Sequence, residues 1–159
     1  MPKNILLVDD NEDILKSFRL LLESQGHTVN TASNPYTALQ IIKENDINLA
    51  ILDYNIPYMT GVQLGHLIKK IKKTTPVMFI SGNPEIHEIA KKVKYDVVTV
   101  LSKPISPNLL IQSVYITLSG KNTNIRSHKN VAVKEPNQVT RLINNITKIL
   151  SPGINSMKL

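Results

Sequence analysis

The stretch NILLVDDNED, Asn4 to Asp13, carries the decision about the fold. Ile5 to Val8 are apolar in succession, the composition of a strand covered on both faces. The run then ends abruptly in Asp9, Asp10, Glu12 and Asp13. Carboxylates a few ångströms apart repel and raise one another's pKa unless a cation or a strong donor sits among them. The stretch therefore reads in two ways. Asp10 or Asn11 caps a following helix, with Glu12 and Asp13 favouring its positive N-terminal end, or the carboxylates form a metal site.

Further along the chain the same kind of run recurs. Thr28 to Ala32, Leu49 to Leu52, Val77 to Ile80 and Val97 to Leu101 are rich in β-branched residues and mostly apolar on both faces, which predicts strands. Helix-period segments lie between them: Ile14, Phe18, Leu21 and Leu22, then Ala38, Ile41 and Ile42, then Leu64, Leu67, Ile68 and Ile71. A weaker fourth is carried by Ile86, Ile89 and Val93, and a fifth by Leu110, Ile111, Val114 and Leu118. Five β-α units in regular alternation imply a parallel sheet with helices on both faces. Ligands in that architecture bind at the carboxyl ends of the strands.

Those ends carry unusual chemistry. The first strand runs into Asp9 and Asp10, the third into Asp53, the fourth into Ser81 and Gly82, and the fifth into Ser102, Lys103 and Pro104. The second ends in Thr31 to Asn34, as suits an edge strand. Each has a plain local reading: a cap at Asp10 or Asn11, a turn former at Asp53, turn chemistry at Ser81 to Pro84 and a surface amine at Lys103. Turn formation does not explain why two strands end in carboxylates, a third in a hydroxyl and a fourth in Lys-Pro, all on the side where sites form.

Composition narrows the function classes. The 159 residues suffice for one domain with a proper core and an appendage. The absence of Cys excludes a disulfide framework, a zinc-thiolate site and a thiol nucleophile, and makes an intracellular protein the easier reading. No apolar run reaches membrane length, and acidic residues begin where a signal peptide needs its apolar region, so a cytoplasmic protein without membrane insertion is expected. Residues 1 to 120 hold 12 Lys/Arg against 11 Asp/Glu, whereas residues 121 to 159 hold 7 Lys/Arg against Glu135 alone. Of the net charge of +7, the tail thus carries +6.

On LLVDDNED, AILDYNIPYMTG with Asp53, Pro57, Met59 and Gly61 in register, FISGN and LSKPI, the sequence resembles the receiver domain of two-component response regulators, of the CheY-like kind, from residue 4 to about 119. The resemblance implies a flavodoxin-like, doubly wound five-stranded parallel sheet of order 2-1-3-4-5 with five helices. It also implies a phosphoacceptor at Asp53 and a Mg²⁺ held by Asp9, Asp10, Asp53 and the backbone carbonyl of Asn55, with Asp9 acting through water. Ser81 would be the hydroxyl that follows the phosphoryl group and Lys103 the amine that pairs with it. The donor would be a phosphohistidine on a sensor histidine kinase or phosphotransfer protein, with small acyl phosphates also competent. The chain would catalyse only its own phosphorylation and slow hydrolysis, with Asn55 and Asn83 flanking the water path.

The chemistry agrees with the resemblance. Phosphoryl transfer needs in-line positioning and neutralisation of oxygen charge more than covalent work by the protein. Ionised Asp53 is a competent oxygen nucleophile, Mg²⁺ makes an anionic donor tolerable beside three carboxylates, and Lys103 offers a compact positive charge. A flavin-phosphate site would need a Ser/Thr/Gly-rich loop where Asp9 to Asp13 stand. A phosphatase of the haloacid dehalogenase type would need a second Asp at Asn55. No glycine-rich dinucleotide motif, P-loop or His-rich metal spacing occurs, and His27, His66, His87 and His128 are isolated.

One position departs from the family: Val100 stands three residues before Lys103, where Tyr or Phe is usual, so the usual aromatic switch is missing. Residues 1 to 120 are expected to form the receiver, 121 to 136 a polar linker, 137 to 150 an amphipathic helix and 151 to 159 a tail. In NQVTRLINNITKIL, Val139, Leu142, Ile143, Ile146, Ile149 and Leu150 share one helical face opposite Arg141 and Lys148. That stripe needs a surface: the receiver itself, an unknown downstream protein or, second, a homodimer. The alternatives are a DNA-binding transcription regulator using the basic tail and a phosphorylation-independent pseudo-receiver. A tail with one helix and no aromatic residue makes nucleic acid an unexpected partner.

Overall fold

The structure is a computed structural model that describes residues 1–93 and 97–119, with the side chains of Val97 and Val98 left aside. The expected linker, amphipathic helix and tail, residues 121 to 159, lie outside the described residues, as does His128. Five strands build the main sheet: β1 (Asn4–Val8), β2 (Thr28–Ala32), β3 (Leu49–Asp53), β4 (Val77–Ser81) and β5 (Val97–Ser102). Five helices alternate with them: α1 (Glu12–Glu23), α2 (Pro35–Glu44), α3 (Gly61–Ile71), α4 (Ile86–Lys92) and α5 (Pro107–Leu118). All four strand pairings are parallel and the order is β2-β1-β3-β4-β5. This is the flavodoxin-like, doubly wound arrangement expected from the sequence, with β2 at one edge.

Alternation along the strands divides the core into two layers. Leu6 and Val8 of β1, Ala50 and Leu52 of β3 and Val77 and Phe79 of β4 join Ala38 and Ile42 of α2, Leu64 and Ile68 of α3 and Ile86 of α4. The opposite face of the same strands, Ile5, Leu7, Leu49, Ile51, Met78 and Ile80, packs on Leu15, Leu21 and Leu22 of α1 and on Leu110 and Val114 of α5. Strands β1, β3 and β4 bury apolar side chains on both sides, which is why their sequences show no polar alternation.

The helices start where short polar side chains satisfy their first amide groups. Asn11 Oδ1 accepts from the N–H groups of Asp13 and Ile14, Asn34 caps α2 ahead of Pro35, and Ser106 caps α5 ahead of Pro107. Thr60 and Gln63 form a reciprocal capping box on α3. Helix α4 has no side-chain cap and runs for 7 residues, so Val93, read from the sequence as its last apolar position, lies just beyond it in extended backbone. Only Ile86 of α4 is fully buried, too small an apolar face to carry the helix another turn. No helix among the described residues is long and apolar enough to cross a membrane.

Candidate functional site

Right-handed parallel crossovers place every strand's carboxyl end on one rim, and the rim collects the acidic residues. Asp9 leaves β1 with its backbone N–H still donating to Ala32 O, and the residue is 3% exposed. Its Oδ1 accepts from the N–H of Asn11 at 2.9 Å and its Oδ2 from Lys103 Nζ at 2.8 Å. Asp53, the last residue of β3, is 6% exposed, and its Oδ1 lies 3.1 Å from the same Nζ. Asp10 is exposed, and carboxylate oxygens of Asp9, Asp10 and Asp53 all fall within 4.8 Å of one another.

The cap reading of Asn4 to Asp13 is realised at Asn11, and the carboxylates of the second reading do draw together at the strand ends. Asn11 is the N-cap of α1, with Glu12 and Asp13 in the first turn. Asp9 and Asp10 turn toward Asp53, and the strong donor among them comes from Lys103. That lysine is held because its backbone N–H donates to Ser81 O at 2.8 Å. Ser81 is fully buried at the end of β4 and its Oγ accepts from the N–H of Asn83 at 2.9 Å. Asn83 Oδ1 accepts in turn from the N–H of Glu85, just ahead of α4. Asn55 is exposed in a short antiparallel ladder, Asn55–Ile56 with Met59–Thr60, that follows β3.

Gly61 explains why α3 can begin so close to this rim. Its N–H donates to Tyr54 O at 2.8 Å, and a Cβ at Gly61 would overlap the carbonyl oxygen of Asp53. Only glycine permits that approach.

Burial pushes the Asp53 carboxyl above its ordinary value, and the hydrogen bond and charge of Lys103 offset this only in part, while Asp9 and Asp10 push the same way as burial. Burial works to lower Lys103, but its hydrogen bonds to Asp9 and Asp53 outweigh that and hold the amine above its ordinary value. The result is a cationic donor locked between two buried anions, with a third carboxylate open to solvent. Such a site attracts a hard cation at its exposed side and an anionic group once the negative charge is balanced.

Of the residues expected from the sequence, Asp9, Asp53 and Lys103 are in direct contact, Asp10 completes the acidic cluster, and Ser81 is joined to Lys103 through its carbonyl oxygen. Asn55 and Asn83 lie on the loops that follow β3 and β4. Val100 is half-buried against the layer formed by α2, α3 and α4. Two features escape the sequence reading. His87 of α4 meets Ser102 Oγ through Nε2 at 3.1 Å, a tie between α4 and the end of β5. Tyr58 and Tyr36 place their ring centroids 5.6 Å apart beside the rim. The signal for the latter lies in Pro57-Tyr58, a two-residue turn whose second place favours Gly or Asn.

Comparison with known proteins agrees with this geometry. The response regulator receiver domain family matches residues 5–115. The transcriptional regulatory protein GlrR of Escherichia coli (strain K12) is 30% identical over 113 residues, 71% of this chain and 26% of that protein. The chain thus spans about a quarter of that relative's length. A receiver domain protein of CheY-like type from Methanospirillum hungatei JF-1 superposes with a TM-score of 0.70 at 26% identity, covering 75% of this chain and 95% of that one. A receiver domain protein from Clostridium thermocellum gives 0.68 at 29% identity, covering 75% and 96%.

Proposed function

This chain belongs to the response regulator receiver domain family, and from that premise we propose that it is a phosphoacceptor: Asp53 takes a phosphoryl group from a phosphohistidine on a sensor histidine kinase or phosphotransfer protein, and the loaded chain switches its binding to a downstream protein. The observation that carries the reading is the nearly buried Asp53 carboxylate sharing one amine with a second buried carboxylate at the strand ends. In the transfer, an ionised Asp53 oxygen attacks phosphorus in line, the O–P bond forms as the donor's N–P bond breaks, and the bonding electron pair leaves with the imidazole. Lys103, already 3.1 Å from Asp53 Oδ1, neutralises an oxygen of the arriving phosphoryl group. Ser81 reaches the same group with its hydroxyl once its Oγ turns from Asn83. Asn55 and Asn83 orient water for slow hydrolysis without acting as strong bases. The chain works on itself alone and turns over no separate substrate.

The acidic cluster suits Mg²⁺, since three carboxylate oxygens within 4.8 Å match the oxygen-rich shell of a hard cation. When bound, Mg²⁺ neutralises charge between the carboxylates and the phosphoryl oxygens. Asp10, which makes no hydrogen bond among the described residues, would ligate directly, together with Asp53 and the carbonyl of Asn55. Asp9, with both oxygens engaged by Asn11 and Lys103, would act through water. A cytoplasmic location fits a partner that carries phosphohistidine.

The test is incubation with acetyl phosphate and Mg²⁺ followed by intact mass measurement and peptide mapping. One added phosphoryl group on Asp53, absent from Asp53→Asn, is expected; an acyl phosphate on the Asn variant would refute the assignment.

A further inference from the structure

Tyr58 occupies a place where stability favours a different residue. The ladder Asn55–Ile56 with Met59–Thr60 leaves Pro57 and Tyr58 as its two-residue loop. Proline fixes the first φ near −65° and Tyr58 has φ +71°, the sign pattern of a type II turn, whose second place belongs to Gly or Asn. A bulky residue in the left-handed region is strained. Burial does not compensate: Tyr58 is 80% exposed, and Tyr36 at the start of α2 is 64% exposed. Their rings nevertheless meet at 5.6 Å with planes tilted by 52°. Two aromatic faces are thus held open to solvent at the rim that carries Asp53.

The surroundings state what these faces suit. On one side Tyr58 lines a cleft of about 450 Å³ in which Asp10 is the sole charged residue among those described. On the other side it lines a mostly apolar groove of about 620 Å³ with Met59, Val62, Gln63, His66, Leu67 and Val93. Aromatic faces carry negative potential and attract guanidinium or ammonium groups. The geometry points to the Tyr36–Tyr58 pair as the seat for an Arg or Lys side chain, flanked by apolar residues, of the protein that donates the phosphoryl group. This inference rests on the phosphoacceptor reading of Asp53 and adds how the donor is recognised. The cation stacks on the two rings and sets the phosphohistidine beside the rim that carries Asp53, while aliphatic neighbours enter the groove along α3.

The experiment compares Tyr58→Phe, Tyr58→Leu, Tyr58→Gly and Tyr36→Ala in the full chain with two donors. One is acetyl phosphate. The other is whichever autophosphorylated histidine kinase or phosphotransfer protein of the source genome loads the unaltered chain fastest. Acetyl phosphate is expected to load all variants within twofold of the unaltered chain. Transfer from the protein donor should persist in Tyr58→Phe and fall at least tenfold in Tyr58→Leu, Tyr58→Gly and Tyr36→Ala, mainly through a higher half-saturating concentration. Tyr58→Gly should at the same time unfold at higher denaturant, because glycine relieves the positive φ. Equal transfer by the Leu and Phe variants would reduce the surface to apolar contact and overturn the cation seat. Unimpaired transfer to Tyr58→Gly would overturn the docking role altogether, as would the failure of every phosphoprotein to load a chain that acetyl phosphate does load. Failure of both donors on the unaltered chain would instead bring down the phosphoacceptor reading beneath it.

Discussion

At Asp53 a carboxylate that the proposed phosphotransfer would use is held where folding alone would not put it. Burial raises its pKa above the ordinary 3.8, with Lys103 offsetting only part of the effect. The native state therefore binds this proton more readily than the unfolded chain. The stability contributed by Asp53 is fully present below pH 3.8 and is lost as pH rises through its raised native value. Asp53→Asn should accordingly resist denaturant better than the unaltered chain at pH 7, with the advantage closing at pH 3.5; chemical unfolding at both pH values checks this, and an Asn variant weaker at pH 7 would contradict it. Lys103 has the opposite role. Its amine is raised above 10.5 by the hydrogen bonds to Asp9 and Asp53, which outweigh the effect of its burial. Its contribution is complete below that pH and disappears as pH climbs through the native value. Lys103→Met leaves two buried carboxylates without their common donor. A loss of about 1.5–3 kcal/mol at pH 7 is expected from charged hydrogen bonds of this kind, measured by urea unfolding.

At the scale of elements, two short joins control where the rim residues point. Asn11 caps α1 through its side chain while its backbone N–H holds Asp9 Oδ1. Asn11→Ala removes the first and keeps the second. Its stability should drop by about 1 kcal/mol with acetyl phosphate loading unchanged, and a large loss of loading would show that the cap also orients Asp9. Gly61 joins the ladder to α3 directly above the Asp53 carbonyl. Gly61→Ala must push that strand end aside, so a loss on the order of 1–3 kcal/mol together with slower loading is expected, read by unfolding and by the rate of acyl phosphate formation. The strand runs and the helical periods were legible in the sequence because each is local, a short apolar run or a repeat every 3.6 residues. The end of α4 was not. Val93 continues the apolar period, yet the helix stops at Lys92, because its length depends on how much apolar surface the neighbouring elements offer it.

For the molecule as a whole, the proposed cation seat implies linkage between metal and fold. If Asp10, Asp53 and Asn55 hold Mg²⁺ only when folded, stability rises with Mg²⁺ concentration by about 2.7 kcal/mol at a hundred times the dissociation constant. Thermal unfolding across a Mg²⁺ titration should show this rise, lost in Asp10→Ala and weaker but present in Asp9→Ala; equal losses in both would refute the direct role given to Asp10. Such coupling is possible because the residues that form the seat are far apart in sequence and meet only in the folded state. That separation also divides what was readable from what was not. Alternating runs and periods dictated a doubly wound parallel sheet, and parallel crossovers in turn dictated that Asp9, Asp10, Asp53, Ser81 and Lys103 share one rim. Both follow from local patterning and from the handedness of the chain. Which carboxylates Lys103 would bridge, 94 residues from Asp9 in sequence, was decided by the tertiary structure alone. So were the need for glycine at Gly61 and the meeting of Tyr36 with Tyr58. A charge pair, a backbone contact and a ring contact each depend on distances of a few ångströms between distant segments, and those distances exist only once the sheet and its two helical layers have closed around the core.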